Sequence, residues 1–94
     1  MITHEEICNA VAKIASSHSI KKASYFGSYA DGRATHKSDL DLLIEFQMPA
    51  VSLLVLSAIK LALEDQLKIP VDVIRAPLPK GSLIEINKVV QVYG

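Results

Sequence analysis

Residues 27–46 constrain the fold of this chain more than any other stretch. The stretch begins with Gly27 and Ser28, and after ten further residues it reaches Asp39 and Asp41 at the head of an apolar run. The run is rich in residues that suit a buried, pleated surface, which predicts a β-strand from Asp39 to the end of the stretch. Because side chains alternate along a strand, we expect the two aspartates on one face, roughly 6.5–7 Å apart along the chain.

Two carboxylates that point at one spot indicate a bound cation. They repel each other unless a proton or a cation lies between them, and a divalent ion with oxygen ligands is the usual solution. The turn at Gly27 and Ser28 offers backbone N–H groups, with the start of a helical turn behind them, to a phosphate. A phosphate cradle beside a metal held by carboxylates is typical of phosphoryl or nucleotidyl transfer. The alternative interpretation is an acidic strand end that faces solvent.

The motif resembles the signature of the polymerase-β nucleotidyltransferase superfamily. The string GSYADGRA followed by SDLDLLI, in a chain of 94 residues, is similar to the superfamily's minimal nucleotidyltransferase branch. That branch includes the MntA-type antitoxins, which are encoded beside HEPN-domain toxins. The resemblance covers residues 20–76 well and the flanks only in general layout. It implies one α/β (α+β) domain over residues 1–94, with a small mixed sheet and helices mainly on one face.

The resemblance also implies a role for each motif residue. Asp39 and Asp41 hold one or two Mg²⁺ ions, and Gly27 and Ser28 hold the terminal phosphates of ATP. Asp72, within the predicted strand VDVIR, is then the third carboxylate, brought beside the other two by strand pairing. It serves either as a further metal ligand or as the base that takes the proton of the attacking hydroxyl. The alternative for Asp72 is an edge-strand residue that faces water.

The chain departs from the branch at one position of the motif. The common form has a basic residue after the alanine, whereas this chain has Asp31. An acidic group there either points away from the nucleotide or weakens its binding. We expect Arg33, two residues later, to supply the missing positive charge to the nucleotide.

The acceptor of the AMP group is expected to dock on this domain or at an oligomer interface, because we find no second domain to bind it. By resemblance, the predicted function is an antitoxin-type protein adenylyltransferase that moves AMP from ATP to a hydroxyl, a tyrosine, of a HEPN-family toxin. A second hypothesis is a non-catalytic antitoxin that acts by complex formation, and Asp31 favours it. A third is an antibiotic-type small-molecule nucleotidyltransferase assembled from two chains.

Charge and cysteine content limit the other function classes. The 10 basic and 10 acidic residues cancel, so we expect no direct binding to nucleic acid. The single cysteine, Cys8, fits a reducing compartment, and no secretion signal is visible at the amino terminus, so we expect a cytoplasmic protein. The longest apolar stretch, residues 50–63, is interrupted by Lys60 and is shorter than the roughly 20 residues that a membrane span requires.

Periodicity and capping signals predict the remaining elements in a βαβαβ-like order. The sequence predicts helices over 3–17, 50–67 and 82–88, a short helix or helical turn over 29–32, and strands over 23–26, 39–46 and 71–75. Residues 89–93 either extend the last helix or form a terminal strand, and the family resemblance favours the strand. Thr3 and Glu6 have capping-box spacing. The helix over 50–67 is apolar around most of its circumference, with a polar stripe of Ser57, Lys60, Glu64 and Lys68. Such a helix is either a central core element or an oligomer or partner surface.

Overall fold

The structure is a computed structural model that describes residues 1–77 and 88–94. Its elements are α1 (His4–Ala15), a 3₁₀ turn (Ser16–His18), β1 (Ile20–Phe26), β2 (Leu40–Phe46), α2 (Leu53–Leu67), β3 (Val71–Arg75) and β4 (Val90–Tyr93). The helix predicted from Ser82 lies outside the described residues. Within the described ranges, no helix is both long and apolar enough to cross a membrane.

Helix α1 begins with the predicted capping box. The hydroxyl of Thr3 accepts from the Glu6 N–H at 3.2 Å, and the Thr3 N–H donates to the Glu6 carboxylate at 3.1 Å. These two bonds satisfy backbone and side-chain groups that a helix start otherwise leaves unpaired. The α-helix ends two residues earlier than predicted, because the chain tightens into the 3₁₀ turn after Ala15.

Replacing Thr3 with alanine is expected to lower the free energy of unfolding by about 1 kcal/mol, since the first turn of α1 loses its side-chain acceptor. Urea unfolding followed by circular dichroism measures the change. Glu5→Gln is the control, because Glu5 is exposed in the same turn and its loss should cost at most about 0.5 kcal/mol. Equal midpoints for Thr3→Ala and wild type would contradict the role of the cap.

The four strands form one mixed sheet in the order β3-β2-β1-β4. Strand β1 pairs antiparallel with both β2 and β4, whereas β2 and β3 are parallel and are joined through α2. The predicted mixed-sheet α+β class is confirmed. The βαβαβ-like order is wrong at one point, because a turn and loop rather than a regular helix connect β1 to β2. Gly27 and Gly32 both have positive φ there, at 73° and 74°, which interrupts helical backbone.

The core lies on one face of the sheet, under both helices. Alternate residues of β2 point into it and are at most 7% exposed: Leu40, Leu42, Ile44 and Phe46. They pack in one cluster with the inner faces of α1 and α2, which include Ile7, Val11, Ile59 and Leu63. The other residues of β2, Asp41, Leu43 and Glu45, are only partly buried. The alternation of this strand therefore places Asp41 on the face away from the helices.

Helix α2 begins at Leu53, three residues later than predicted. The hydroxyl of Ser52 accepts from the Val55 N–H at 3.3 Å and so caps the helix. Pro49 lies upstream of this cap and outside the helix.

The solvent-facing side of α2 carries exposed leucines as well as polar residues. Leu53, Leu54 and Leu61 are 80%, 82% and 64% exposed, while Ile59 and Leu63 are fully buried. Only one side of α2 is therefore covered, so the interpretation of α2 as a central core helix does not hold. The oligomer or partner surface stays a prediction.

Candidate active site

Asp41 and Asp72 are neighbours across the parallel pair of strands. The register of β2 and β3 places Asp41 directly opposite Asp72. Residues paired in this way point to the same face, and their strands lie roughly 4.8 Å apart. Asp72 is exposed on the outermost strand of the sheet. The structure therefore brings two of the three predicted carboxylates together, near the N-terminal end of β3.

Asp39 lies directly before β2 and is exposed. Its charge still acts on Asp41, because the pKa of Asp41 is raised by burial and then by the negative charges of Asp72 and Asp39. A carboxylate whose pKa is raised by its neighbours is one that repels them when it is ionised. The three predicted carboxylates thus form one zone of negative charge.

Gly27 lies against the Asp41 carboxylate. Its φ is +73°, and a Cβ added to it would lie 2.6 Å from Oδ2 of Asp41. That distance is far below van der Waals contact, so a side chain at position 27 would displace the carboxylate. The turn predicted to hold phosphate is therefore in contact with the acidic pair.

The segment after Gly27 forms a hydrogen-bonded turn rather than a regular helix. The Asp31 N–H donates to the Gly27 carbonyl at 3.0 Å, and the Arg33 N–H donates to the Ser28 carbonyl at 2.9 Å. These bonds fold residues 27–33 into one compact turn that presents Ser28, a partly buried residue.

Asp31 and Arg33, the two charged residues of this turn, pair with each other. Nη2 of Arg33 lies 2.8 Å from Oδ2 of Asp31, while the Arg33 side chain is 74% exposed. The cation predicted for the nucleotide is therefore held by the acidic residue that departs from the branch motif. An exposed pair of this kind is worth only about 0.2–1 kcal/mol.

The oxygen atoms of Asp39, Asp41 and Asp72 are suitable ligands for a divalent cation, although the three side chains do not point to one common position. In residues 1–77 and 88–94, no three His, Cys, Asp or Glu side chains lie close enough together to form a ready metal site. Carboxylate oxygens are nevertheless the ligands that Mg²⁺ prefers. A cation would also relieve the repulsion that raises the pKa of Asp41. Asp39, Asp41 and Asp72 are thus the residues able to hold it.

Sequence analysis missed one contact near these residues. The Glu64 carboxylate on α2 accepts from the Val71 N–H at 2.9 Å, one residue before Asp72. The sequence indicates Glu64 only as part of a polar stripe. No sequence signal indicates this contact, because it depends on how α2 packs on the edge of the sheet.

Comparison of the sequence with known proteins identifies similarity to nucleotidyltransferases. A model for a nucleotidyltransferase domain matches residues 6–92. A relative from Methanocaldococcus jannaschii, named "Putative protein adenylyltransferase MJ0435", is 42% identical over 69 residues, which is 73% of this chain and 73% of that relative.

Comparison of the structure gives the same fold in toxin–antitoxin assemblies. A chain of a toxin–antitoxin crystal structure with AMP-PNP has a TM-score of 0.77 and 19% identity, covering 93% of this chain and 73% of that chain. A chain of a structure of tri-AMPylated Shewanella oneidensis HEPN toxin in complex with MNT antitoxin has a TM-score of 0.72 and 16% identity, covering 98% and 73%. At these identities the likeness concerns the fold alone.

Proposed function

The chain belongs to the nucleotidyltransferase domain family, and from this premise we propose that it is an antitoxin-type protein adenylyltransferase that transfers AMP from ATP to a hydroxyl of a HEPN-type toxin. One observation carries the proposal. Asp41 stands in register with Asp72 and against Gly27, so the acidic pair lies beside the turn that we assign to phosphate binding. A cytoplasmic location, inferred from the single thiol of Cys8, belongs to the same proposal.

The reaction is a substitution at the α-phosphorus of ATP. The acceptor oxygen forms a bond to this phosphorus, and the bond from phosphorus to the oxygen that bridges to the β-phosphate breaks. Pyrophosphate leaves with the electron pair of that bond, and AMP remains on the acceptor as a phosphodiester. The hydroxyl proton passes to a carboxylate, which we assign to Asp72 because it is the more exposed member of the pair.

The residues around the pair position the substrates. Gly27 and Ser28 present backbone N–H groups to the terminal phosphates. Asp39, Asp41 and Asp72 are the residues that would hold Mg²⁺, and a bound ion would supply positive charge against the triphosphate and Lewis-acid polarisation of its phosphorus–oxygen bonds. The likeness to a toxin–antitoxin structure with AMP-PNP supports ATP as the nucleotide.

The relatives and the openness of the site support a protein as the acceptor. The curated relative carries the name of a protein adenylyltransferase, and a structural neighbour comes from an AMPylated HEPN toxin complex. Asp39 and Asp72 are both exposed, so a side chain of another protein can reach them. We propose a tyrosine hydroxyl as the acceptor group.

The ion pair of Asp31 with Arg33 favours a second candidate, a non-catalytic antitoxin that binds its toxin without modifying it. If Arg33 stays bound to Asp31, the site has less positive charge to attract a triphosphate. Incubation of the protein with Mg²⁺, ATP labelled at the α-phosphate and the product of the neighbouring gene separates the candidates. Label on a tyrosine of the partner supports the transferase. A tight complex without label would overturn it in favour of the second candidate.

Replacing Asp31 with alanine is expected to lower the KM for ATP by about threefold, since Arg33 becomes free to bind phosphate and one negative charge is lost. Steady-state kinetics at saturating Mg²⁺ measures this. Arg33→Ala is expected to change KM in the opposite direction. If Asp31→Ala leaves KM unchanged or raises it, the pair does not limit nucleotide binding.

A further inference from the structure

Glu64, near the C-terminal end of α2, binds the first residue of β3. Its Oε2 accepts from the Val71 N–H at 2.9 Å and lies 3.4 Å from Nζ of Lys60. The backbone N–H of Val71 lowers the pKa of Glu64, with a further contribution from Lys60. The Glu64 carboxyl group is therefore ionised at neutral pH, which makes it a strong hydrogen-bond acceptor.

Strand β3 needs support at this end because it is the outer strand of the sheet. Among the strands of residues 1–77 and 88–94, it pairs only with β2. On that side the Leu40 N–H donates to the carbonyl of Pro70 at 3.0 Å, the residue before β3 begins. On the other side, the N–H of Val71 has its acceptor on α2. The first peptide of β3 is thus held from both sides, by β2 and by Glu64.

The same end of β3 is subject to electrostatic repulsion. Asp72 follows Val71 and faces Asp41 across the strand pair, with Asp39 nearby. Like charges on neighbouring strands push them apart. Val71 is fully buried, so its packing also resists this movement. A hydrogen bond is directional, however, and therefore fixes the orientation and position of the peptide in a way that packing alone does not.

We propose that Glu64 is a positioning residue for Asp72, holding the first peptide of β3 so that the Asp72 carboxylate stays within reach of a cation shared with Asp41. The inference rests on the proposed function, since it assigns Asp72 to a metal site. Glu64 itself does not touch substrate or cation in this account. It acts through the backbone of Val71.

Two substitutions separate this role from a general contribution to stability. Glu64→Ala removes the acceptor, whereas Glu64→Gln keeps an oxygen that the Val71 N–H can reach. Thr3→Ala is the matched control, because it lowers stability by about 1 kcal/mol through α1 without contact to β3. Urea unfolding of all three variants establishes that each is folded.

The measured quantity is the affinity of the full chain for Mn²⁺, obtained from the electron paramagnetic resonance signal of free Mn²⁺. This measurement does not depend on AMP transfer. Loss of an outer partner of a metal ligand typically lowers affinity 10- to 100-fold, and we expect Glu64→Ala to weaken Mn²⁺ binding about tenfold. Glu64→Gln should stay within about threefold of wild type and Thr3→Ala should equal it. Equal binding by Glu64→Ala and Thr3→Ala would overturn the proposal, as would an equal loss in Glu64→Gln and Glu64→Ala.

The outcome for the proposed function is separate. If wild type binds Mn²⁺ but no partner receives AMP, the transferase is contradicted while the comparison of Glu64 variants still supports or overturns the positioning role. If wild type binds no Mn²⁺, both are overturned.

Discussion

Asp41→Asn is expected to reduce the rate of AMP transfer roughly 10³-fold, which corresponds to about 4 kcal/mol of lost transition-state stabilisation. The amide keeps the shape of the side chain but loses the charge that would hold the cation. The same change should raise the free energy of unfolding in the absence of divalent ions, because Asp41 is repelled by Asp72 and Asp39. Since the site is partly open to solvent, we expect a gain on the order of only 0.5 kcal/mol.

Glu45→Gln is the matched control for this substitution. Glu45 lies on the same strand and the same face as Asp41, and it is also a partly buried carboxylate. It forms an ion pair with Lys21 at 3.7 Å, and it lies toward the end of β2 that is far from the site. We expect the rate of Glu45→Gln to remain within about twofold of wild type. Equal rates of AMP transfer for Asp41→Asn and Glu45→Gln would show that Asp41 does not contribute to the reaction.

Gly27→Ala is expected to show the second large effect, with a loss of about 1–2 kcal/mol in stability and at least roughly 10²-fold in rate. The stability falls because a residue with a Cβ is strained at a φ of +73°. The rate falls because the new methyl group would lie 2.6 Å from Oδ2 of Asp41, and a displaced catalytic group costs this much even over short distances.

Gly32→Ala separates these two causes. Gly32 has nearly the same φ, +74°, but apart from its chain neighbours no atom in the described part of the chain lies within 4 Å of its added Cβ. We therefore expect Gly32→Ala to lose a similar amount of stability, about 1–2 kcal/mol, while the rate stays near wild type. Urea unfolding and steady-state kinetics on the two variants make the comparison. If both lose rate to the same extent, contact with Asp41 is not the reason that glycine is needed at position 27.

The local parts of the fold were predictable from the sequence because their signals are local. The capping box of Thr3 and Glu6 fixed the start of α1, and β-branched residues fixed β3 at Val71–Arg75, as observed. Alternation along β2 placed Asp41 on the exposed face of the sheet. The pairing of Asp41 with Asp72 required more, since the family resemblance rather than the pattern suggested that these strands are neighbours.

Long-range contacts and surface placement were not predictable. Helix α2 is apolar on nearly every side, so its periodicity does not distinguish the buried Ile59 from the exposed Leu54. The partner of Asp31 depends on the shape of one turn, and the partner of Glu64 depends on the docking of α2 on β3. In each case the deciding energy comes from tertiary packing, which sequence spacing does not encode.

The most direct test of the account is a crystal structure with Mn²⁺ and a non-hydrolysable ATP analogue, with the metal located by anomalous scattering. We predict an anomalous peak bonded to carboxylate oxygens of Asp41 and Asp72 or Asp39, with the triphosphate at the backbone of Gly27 and Ser28. A peak remote from these carboxylates, or a triphosphate bound elsewhere on the domain, would contradict the proposed site.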